Sequence, residues 1–176
     1  KGVNRLAEEV FNSRPIGIFG DYDVDGATSA ALIAKYLEYC GCESFIHIPD
    51  RFLEGYGPNE KALKGLHEKG TELIITVDCG ISSFEPLKAM SSVNLDLIVI
   101  DHHNPDITLP PAYAIINPKR IDTQKGYEDL CAAGVTFIFL IGLNRELRNK
   151  GFFKDRKEPN LFKFLDLVAL GTVCDV

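Results

Sequence analysis

Positive charge is in short supply. Nineteen Lys and Arg stand against twenty-five Asp and Glu, a formal net charge of −6. A surface built mainly to grip nucleic acid has the opposite balance, so a basic binding face is not expected. A nucleic acid substrate stays compatible, because bound metal cations offset several acids. Paired thiols are missing as well. The five cysteines, Cys40, Cys42, Cys79, Cys131 and Cys174, are odd in number and none are spaced Cys-x-x-Cys. That argues against a disulfide scaffold and for reduced thiols in a cytoplasmic protein. Cys40-x-Cys42 has the look of half a zinc site, but no second pair completes it. Apolar runs are short. The longest, Ala132–Leu143, is interrupted by Gly134 and Thr136 and is too short to cross a bilayer. No membrane segment, signal peptide, internal repeat or low-complexity tract is read.

What is present is a regular alternation. The 176 residues suffice for one domain with a real core. Residues 1–14 read as helix, with Val3, Leu6, Val10 and Phe11 on one face. Strands are expected at Ile16–Phe19, Glu43–Ile48, Leu73–Val77, Leu95–Ile100 and Ala112–Ile116. Helices are expected at Ala27–Cys40, ended by Gly41, and from an Asn59 cap to Lys69. Three more are expected near Ser83–Met90, at Ala132–Arg148 and at Leu161–Leu170. Pro118–Leu130 shows no clear pattern. Strands that are apolar nearly throughout and alternate with helices imply an α/β fold, a mostly parallel sheet covered by helices on both faces. Right-handed crossovers then set all the strand ends on one rim. The chain opens at Lys1 and stops on Gly171-Thr172-Val173-Cys174-Asp175-Val176, which reads as strand or turn. A piece of a longer protein is expected.

The chemistry gathers at the strand ends. Gly20-Asp21-Tyr22-Asp23-Val24-Asp25-Gly26 lies between the first strand and a small-residue helix start. Open α/β sheets bind ligands at that place. Three like charges so close repel unless something positive sits among them, and a metal ion is the simplest answer. Leu73–Val77 runs into Asp78, and Leu95–Ile100 runs into Asp101-His102-His103. Asp175 follows the last helix and can return to the same rim. Carboxylates with imidazole suit Mn²⁺, Fe²⁺ or Zn²⁺, whereas all-oxygen ligation suits Mg²⁺ or Ca²⁺. Several carboxylates together can bridge two metals about 3.5–4 Å apart. Adjacent side chains point differently, so one histidine is expected on metal and the other toward substrate.

Other readings compete with each piece. Asp21-x-Asp23-x-Asp25-Gly26 matches the opening of an EF-hand loop, but its twelfth position is Leu32 and a strand precedes it. Phosphatases that form an aspartyl-phosphate also place acids after a strand, yet that leaves the paired histidines unused. Taken singly, Asp78 and Asp101 serve equally well as turn caps. Arg51 is a solvated loop arginine or a phosphate contact. Tyr56, between Gly55 and Gly57, stacks on a base or simply packs. Asn117-Pro118-Lys119-Arg120 reads as a turn with two bases, more often surface than site, and His47 and His67 as structural or exposed.

In order along the chain, Asp21–Gly26, Val77-Asp78-Cys79-Gly80-Ile81-Ser82, Asp101-His102-His103 and Gly171–Val176 resemble the four motifs of the DHH phosphoesterase superfamily. Ile48-Pro49-Asp50-Arg51, Glu54-Gly55-Tyr56-Gly57 and Asn117–Arg120 resemble further stretches of its RecJ-type exonucleases. The resemblance covers nearly the whole chain. It implies a Rossmann-like DHH catalytic domain over residues 1–176 that hydrolyses phosphodiesters with two Mn²⁺ ions, Mg²⁺ being a substitute. Asp23, Asp25, Asp78, His102 and Asp175 are then the metal ligands, with Asp78 bridging and Asp21 a ligand or outer-shell acid. His103 contacts the scissile phosphate and Asp101 orients the histidine pair, while Arg51 and Tyr56 stay the substrate-binding candidates of their own loop. The implied substrate is single-stranded DNA, degraded from its 5′ end during DNA repair and recombination. Single-strand-binding protein and a helicase are the implied partners. Family members also carry a second domain beyond the fourth motif and an OB-fold; neither is expected within these residues, so weak or no activity on DNA is expected from them alone. Asp50 stands at a substrate-facing position where the family pattern has His. A phosphodiesterase of short oligonucleotides or cyclic dinucleotides is the alternative. A non-catalytic nucleic-acid-binding relative would have lost several acids that this chain keeps.

Overall fold

Apolar side chains at alternate strand positions feed two separate cores. Ile16, Ile18, Leu73, Ile75, Val77, Ile98 and Ile100 join one, and Phe19, Ile74, Leu97 and Val99 join the other. Successive side chains of a strand point to opposite faces, so one sheet with two covered faces must separate these cores. The computed structural model shows that sheet and describes residues 1–123 and 125–175. Val176, the last residue of the fourth motif, lies outside the described residues, as does Gln124.

The strands are β1 (Ile16–Gly20), β2 (Ser44–His47), β3 (Leu73–Val77), β4 (Asp96–Ile100) and β5 (Ala114–Ile116). They are parallel throughout and ordered β2-β1-β3-β4-β5. The α/β expectation of a parallel sheet with helices on both faces holds. Helices α1 (Gly2–Phe11), α2 (Val24–Cys40), α5 (Ala132–Asn149) and α6 (Leu165–Cys174) lie over the first core. Helices α3 (Glu60–His67) and α4 (Phe84–Ala89) lie over the second. From β1 the chain crosses to β2 on one side, and β3 then lands on the other. This strand order reverses direction between β1 and β3, and the crevice at such a switch point is where doubly wound sheets hold ligands.

Several boundaries differ from expectation, the main ones for a local reason. Helix α2 starts at Val24 rather than Ala27, because the Asp23 carboxylate accepts the Gly26 N–H at 2.9 Å and caps the helix. The second and third acids are thus a cap and a first-turn residue, not free loop residues. Helix α6 runs through Gly171 to Cys174, after a short 3₁₀ turn at Leu161–Phe164. The strand or turn expected at Gly171–Val176 is therefore corrected over its described residues: the glycine is inside the helix, not after it. A Cβ there would lie 2.7 Å from Ala133 Cβ, 2.8 Å from Thr28 Oγ1 and 2.9 Å from Asp25 Oδ1. Glycine lets α6 lie directly on α2 and α5, which brings Asp175, at the C-terminal end of α6, to the rim. Strands β2 and β5 are shorter than expected, as edge strands often are.

Among the described residues no helix is long and apolar enough to cross a membrane. All five cysteines are unpaired, four of them buried.

Candidate metal centre

The carboxyl-terminal ends of β1, β3 and β4 each deliver acids to the rim for a backbone reason. After β1 the chain turns so tightly that a Cβ on Gly26 would sit 2.6 Å from the Asp21 carbonyl oxygen. Asp21 is 3 % exposed, and its Oδ1 is buried with no hydrogen-bond partner. Asp25, also buried, accepts the Ala132 N–H at 2.6 Å and the Ala133 N–H at 2.8 Å. Those are amides from the first turn of α5, so a helix N-terminus partly balances this charge. After β3, Asp78 takes φ of +60°, a left-handed conformation unusual for a non-glycine residue. Its N–H still bonds the Ile100 carbonyl at 3.0 Å, which locks the bend to the end of β4.

Asp101 builds the next corner. Its Oδ1 accepts the His102 N–H at 2.7 Å, the His103 N–H at 3.1 Å and His103 Nδ1 at 2.7 Å, and its Oδ2 accepts the Ile81 N–H at 3.0 Å. Burial pushes its pKa up, but this cage of donors, His103 first, holds it below the usual carboxylate range. The two histidines then diverge. His102 is 8 % exposed, with Nε2 3.3 Å from Asp78 Oδ1 and 3.8 Å from Asp25 Oδ2 and Nδ1 3.7 Å from Asp175 Oδ2. His103 stays half-exposed, and its bond to Asp101 raises its pKa against the opposing effect of burial. With Nδ1 committed to Asp101, its Nε2 is the atom left for a substrate.

The acids repel. Burial, then Asp25 and Asp23, push Asp78 up to about 10, and its Oδ1 makes no hydrogen bond. Burial also raises Asp21, with Asp23 adding to it, and raises Asp25 against the Ala133 and Ala132 amides. Two buried carboxylate oxygens without partners are costly unless a cation meets them, since such groups are otherwise satisfied. The donors fit one. Asp21, Asp23 and Asp78 offer oxygens within 4.8 Å of one another, and so do the donor atoms of Asp25, His102 and Asp175. Asp78 belongs to the first group and also to a group with His102 and His103, so it stands between the two. Oxygen donors with one imidazole suit Mn²⁺ and related ions. Asp21, Asp23, Asp25, Asp78, Asp101, His102, His103 and Asp175 are thus all gathered at one place.

The substrate-facing candidates are placed unevenly. Tyr56 Oη lies 3.3 Å from the Asp78 carbonyl and 3.4 Å from His103 Nδ1, while the residue as a whole remains 55 % exposed. Arg51 is 5.5 Å from the Tyr22 ring, at the edge of the acids rather than among them. Asp50 is spent locally, its Oδ1 accepting the Phe52 and Leu53 N–H groups. His47 and His67 lie off the site, bonded to Glu54 and to the Thr71 carbonyl. Asn117 corrects the surface-turn reading. It is 2 % exposed, its Nδ2 donates to the His103 carbonyl at 2.9 Å, and its Oδ1 accepts the Lys119 N–H at 2.8 Å. Nothing in an Asn-Pro pair separates a buried brace from a surface turn. Only the position of β5 beside β4 reveals it.

Comparison with known proteins agrees with this geometry. The model of the "DHH family, N-terminal domain" matches residues 15–172. The single-stranded-DNA-specific exonuclease RecJ of Escherichia coli is 41 % identical over 182 residues, covering 99 % of this chain and 32 % of that protein. The chain therefore spans about a third of the length of such relatives. A crystal structure of exonuclease RecJ bound to manganese superposes with a TM-score of 0.81 at 32 % identity, over all of this chain and 43 % of that one. RecJ from Thermus thermophilus in complex with Mn²⁺ does so with 0.77 at 29 % identity, over 99 % and 24 %. The carboxylates of β1, β3 and β4 all fall within the matched residues, and the chain belongs to the DHH family.

Proposed function

We propose that residues 1–176 are the catalytic domain of a larger single-strand-specific DNA exonuclease that hydrolyses phosphodiesters. The observation that carries this reading is the pair of buried oxygens that accept no hydrogen bond, Asp21 Oδ1 and Asp78 Oδ1, inside a set of carboxylates shared around one imidazole. The relatives are about three times as long, which supports a larger enzyme. Asp23, Asp25, Asp78, His102 and Asp175 would hold two Mn²⁺ ions, Asp78 joining the two donor groups and Asp21 completing one of them. When bound, such a pair acidifies a water toward neutral pH and screens the charge of a phosphodiester.

The protein's own groups do the rest. Asp101 fixes His103 with Nε2 outward, where a protonated ring donates to a non-bridging phosphate oxygen as negative charge builds there. Its raised pKa keeps that proton in place at higher pH than an ordinary histidine would. The exposed ring of Tyr56 offers a stacking face beside the site, and Arg51 a cation at its edge. A single-strand exonuclease consumes what a helicase exposes and single-strand-binding protein covers. Those two are the partners we infer.

End-labelled single-stranded and duplex oligonucleotides of graded length, incubated with Mn²⁺ or with chelator, test the reading. Mn²⁺-dependent release of nucleotides from single strands, lost in Asp78→Ala, is expected. Release that persists in chelator, or in Asp78→Ala, would overturn it, and a preference for the shortest substrates would select the oligonucleotide phosphodiesterase.

A further inference from the structure

The rim ends in a cation that the reaction so far leaves unused. Strand order places the loop of Arg51 and Tyr56 after the edge strand β2, the acids after β1, β3 and β4, and Asn117–Arg120 after the other edge strand, β5. Beside His102 and Asp175 opens a cleft of about 520 Å³ that Asn104, Lys119, Lys125, Glu128 and Asp129 also line. It is a direct continuation of the metal centre, because His102 and Asp175 are members of both. Lys125 is pulled toward Glu128, 3.6 Å away. Lys119 differs. It is half-buried, and its backbone N–H is held by the Asn117 carboxamide, the same group whose nitrogen holds the His103 carbonyl. One buried side chain thus fixes Lys119 and His103 relative to each other.

Resting on the phosphodiesterase reading above, we propose that Lys119 binds a backbone phosphate adjacent to the scissile one, on the β5 side of the metal centre. The chemistry asks for such a group. A polyanion crossing a rim with this many carboxylates meets repulsion wherever no cation intervenes. The strands are spaced about 4.8 Å apart, so the end of β5 lies roughly 10 Å from that of β3, beyond the reach of charges bound around Asp78 and within that of the next phosphate. Lysine is suited to the task, a compact charge on a long stem that reads backbone rather than base.

The test follows Mn²⁺-dependent hydrolysis of a short single-stranded oligonucleotide by wild type, Lys119→Gln, Lys119→Arg and Lys150→Gln over a series of salt concentrations. Lys150 lies just past the C-terminal end of α5, far from the rim. Lys119→Gln is expected to raise KM about tenfold and lower kcat far less, the loss of one charged contact. The slope of log(kcat/KM) against log[salt] should become shallower by about 0.7, one phosphate contact on a single strand. Lys119→Arg should restore most of both, and Lys150→Gln should match wild type. Wild-type KM and slope in Lys119→Gln would overturn the inference while leaving the phosphodiesterase reading intact. The assay uses the full-length enzyme, and a full-length wild-type protein that cuts no oligonucleotide would remove that reading and the inference with it.

Discussion

Replacing Asp78 by Asn asks whether the acids are arranged for a cation or merely tolerated. Without metal the wild-type carboxyl, pushed up to about 10, is mostly protonated at neutral pH. The amide of Asp78→Asn would then be close to an isostere of what is already there, and the chelated variant should be as stable as wild type or more so. The pH dependence follows from the direction of the shift. An unfolded Asp titrates near 3.9, so between about pH 4 and pH 10 the folded chain binds the extra proton. Stability of chelated wild type must therefore fall as pH rises through that window. The raised values of Asp21, Asp25 and His103 act in the same direction. Cation binding reverses the balance, because it demands the carboxylate. At one hundred times its Kd, a bound ion adds about 2.7 kcal/mol. For a chain of this size that corresponds to a Tm increase of roughly 5–11 °C. Thermal unfolding at several pH values, with chelator and with Mn²⁺, reads every part of this. The variant should lose most of the Mn²⁺ increment, and in wild type the increment should grow with pH. An Asp78→Asn protein that keeps the full increment, or a chelated wild type more stable at pH 9 than at pH 6, would refute the reasoning.

Three further outcomes are expected. Gly171→Ala pushes a methyl against Ala133, Thr28 and Asp25, so about 1–3 kcal/mol of stability should be lost in denaturant titration, with weaker Mn²⁺ binding as Asp175 moves outward. Asp101→Asn removes the main partner that raises His103, so the His103 pKa read by NMR should fall toward an ordinary value; an unchanged titration would remove the orienting role of Asp101. Asn117→Ala strips a buried donor from the His103 carbonyl and should lower kcat more than it raises KM, with stability down by about 1–3 kcal/mol.

Much of this was legible in the sequence because it is periodic or punctuated. Ile16–Gly20 and Leu73–Val77 are buried at every position, and runs free of charged residues announce that. Asn59 caps α3 through the Ala62 N–H as its residue type suggests. What escaped was set by contacts between distant segments. Gly171 reads as the start of a strand or turn, and only the closeness of α2 and α5 shows why it lies inside a helix. Asn117 reads as a turn, and only β5 lying beside β4 turns it into a brace. Asp25 gave no hint that the first amides of α5, more than a hundred residues on, would hold both of its oxygens. The gathering of the acids could be argued from strand ends, whereas their hydrogen-bond partners could not.

Those partners explain how one fold tolerates such a site. Each acid that a strand end sends to the rim has its charge divided differently. Asp25 leans on a helix N-terminus, Asp101 on four N–H donors, and Asp23 on its own helix cap. Asp21 and Asp78 have one oxygen each that accepts no hydrogen bond, and that of Asp78 has only the His102 ring nearby, 3.3 Å away. If the acids were structural, satisfaction would be spread across all of them, because each unpartnered buried oxygen costs stability. Instead the supported carboxylates surround the two unsupported ones, and the unsupported pair shares a donor group. A positive ion at that spot relieves both at once, so the uneven distribution is what a site selected to bind cations at some cost to its own stability should show.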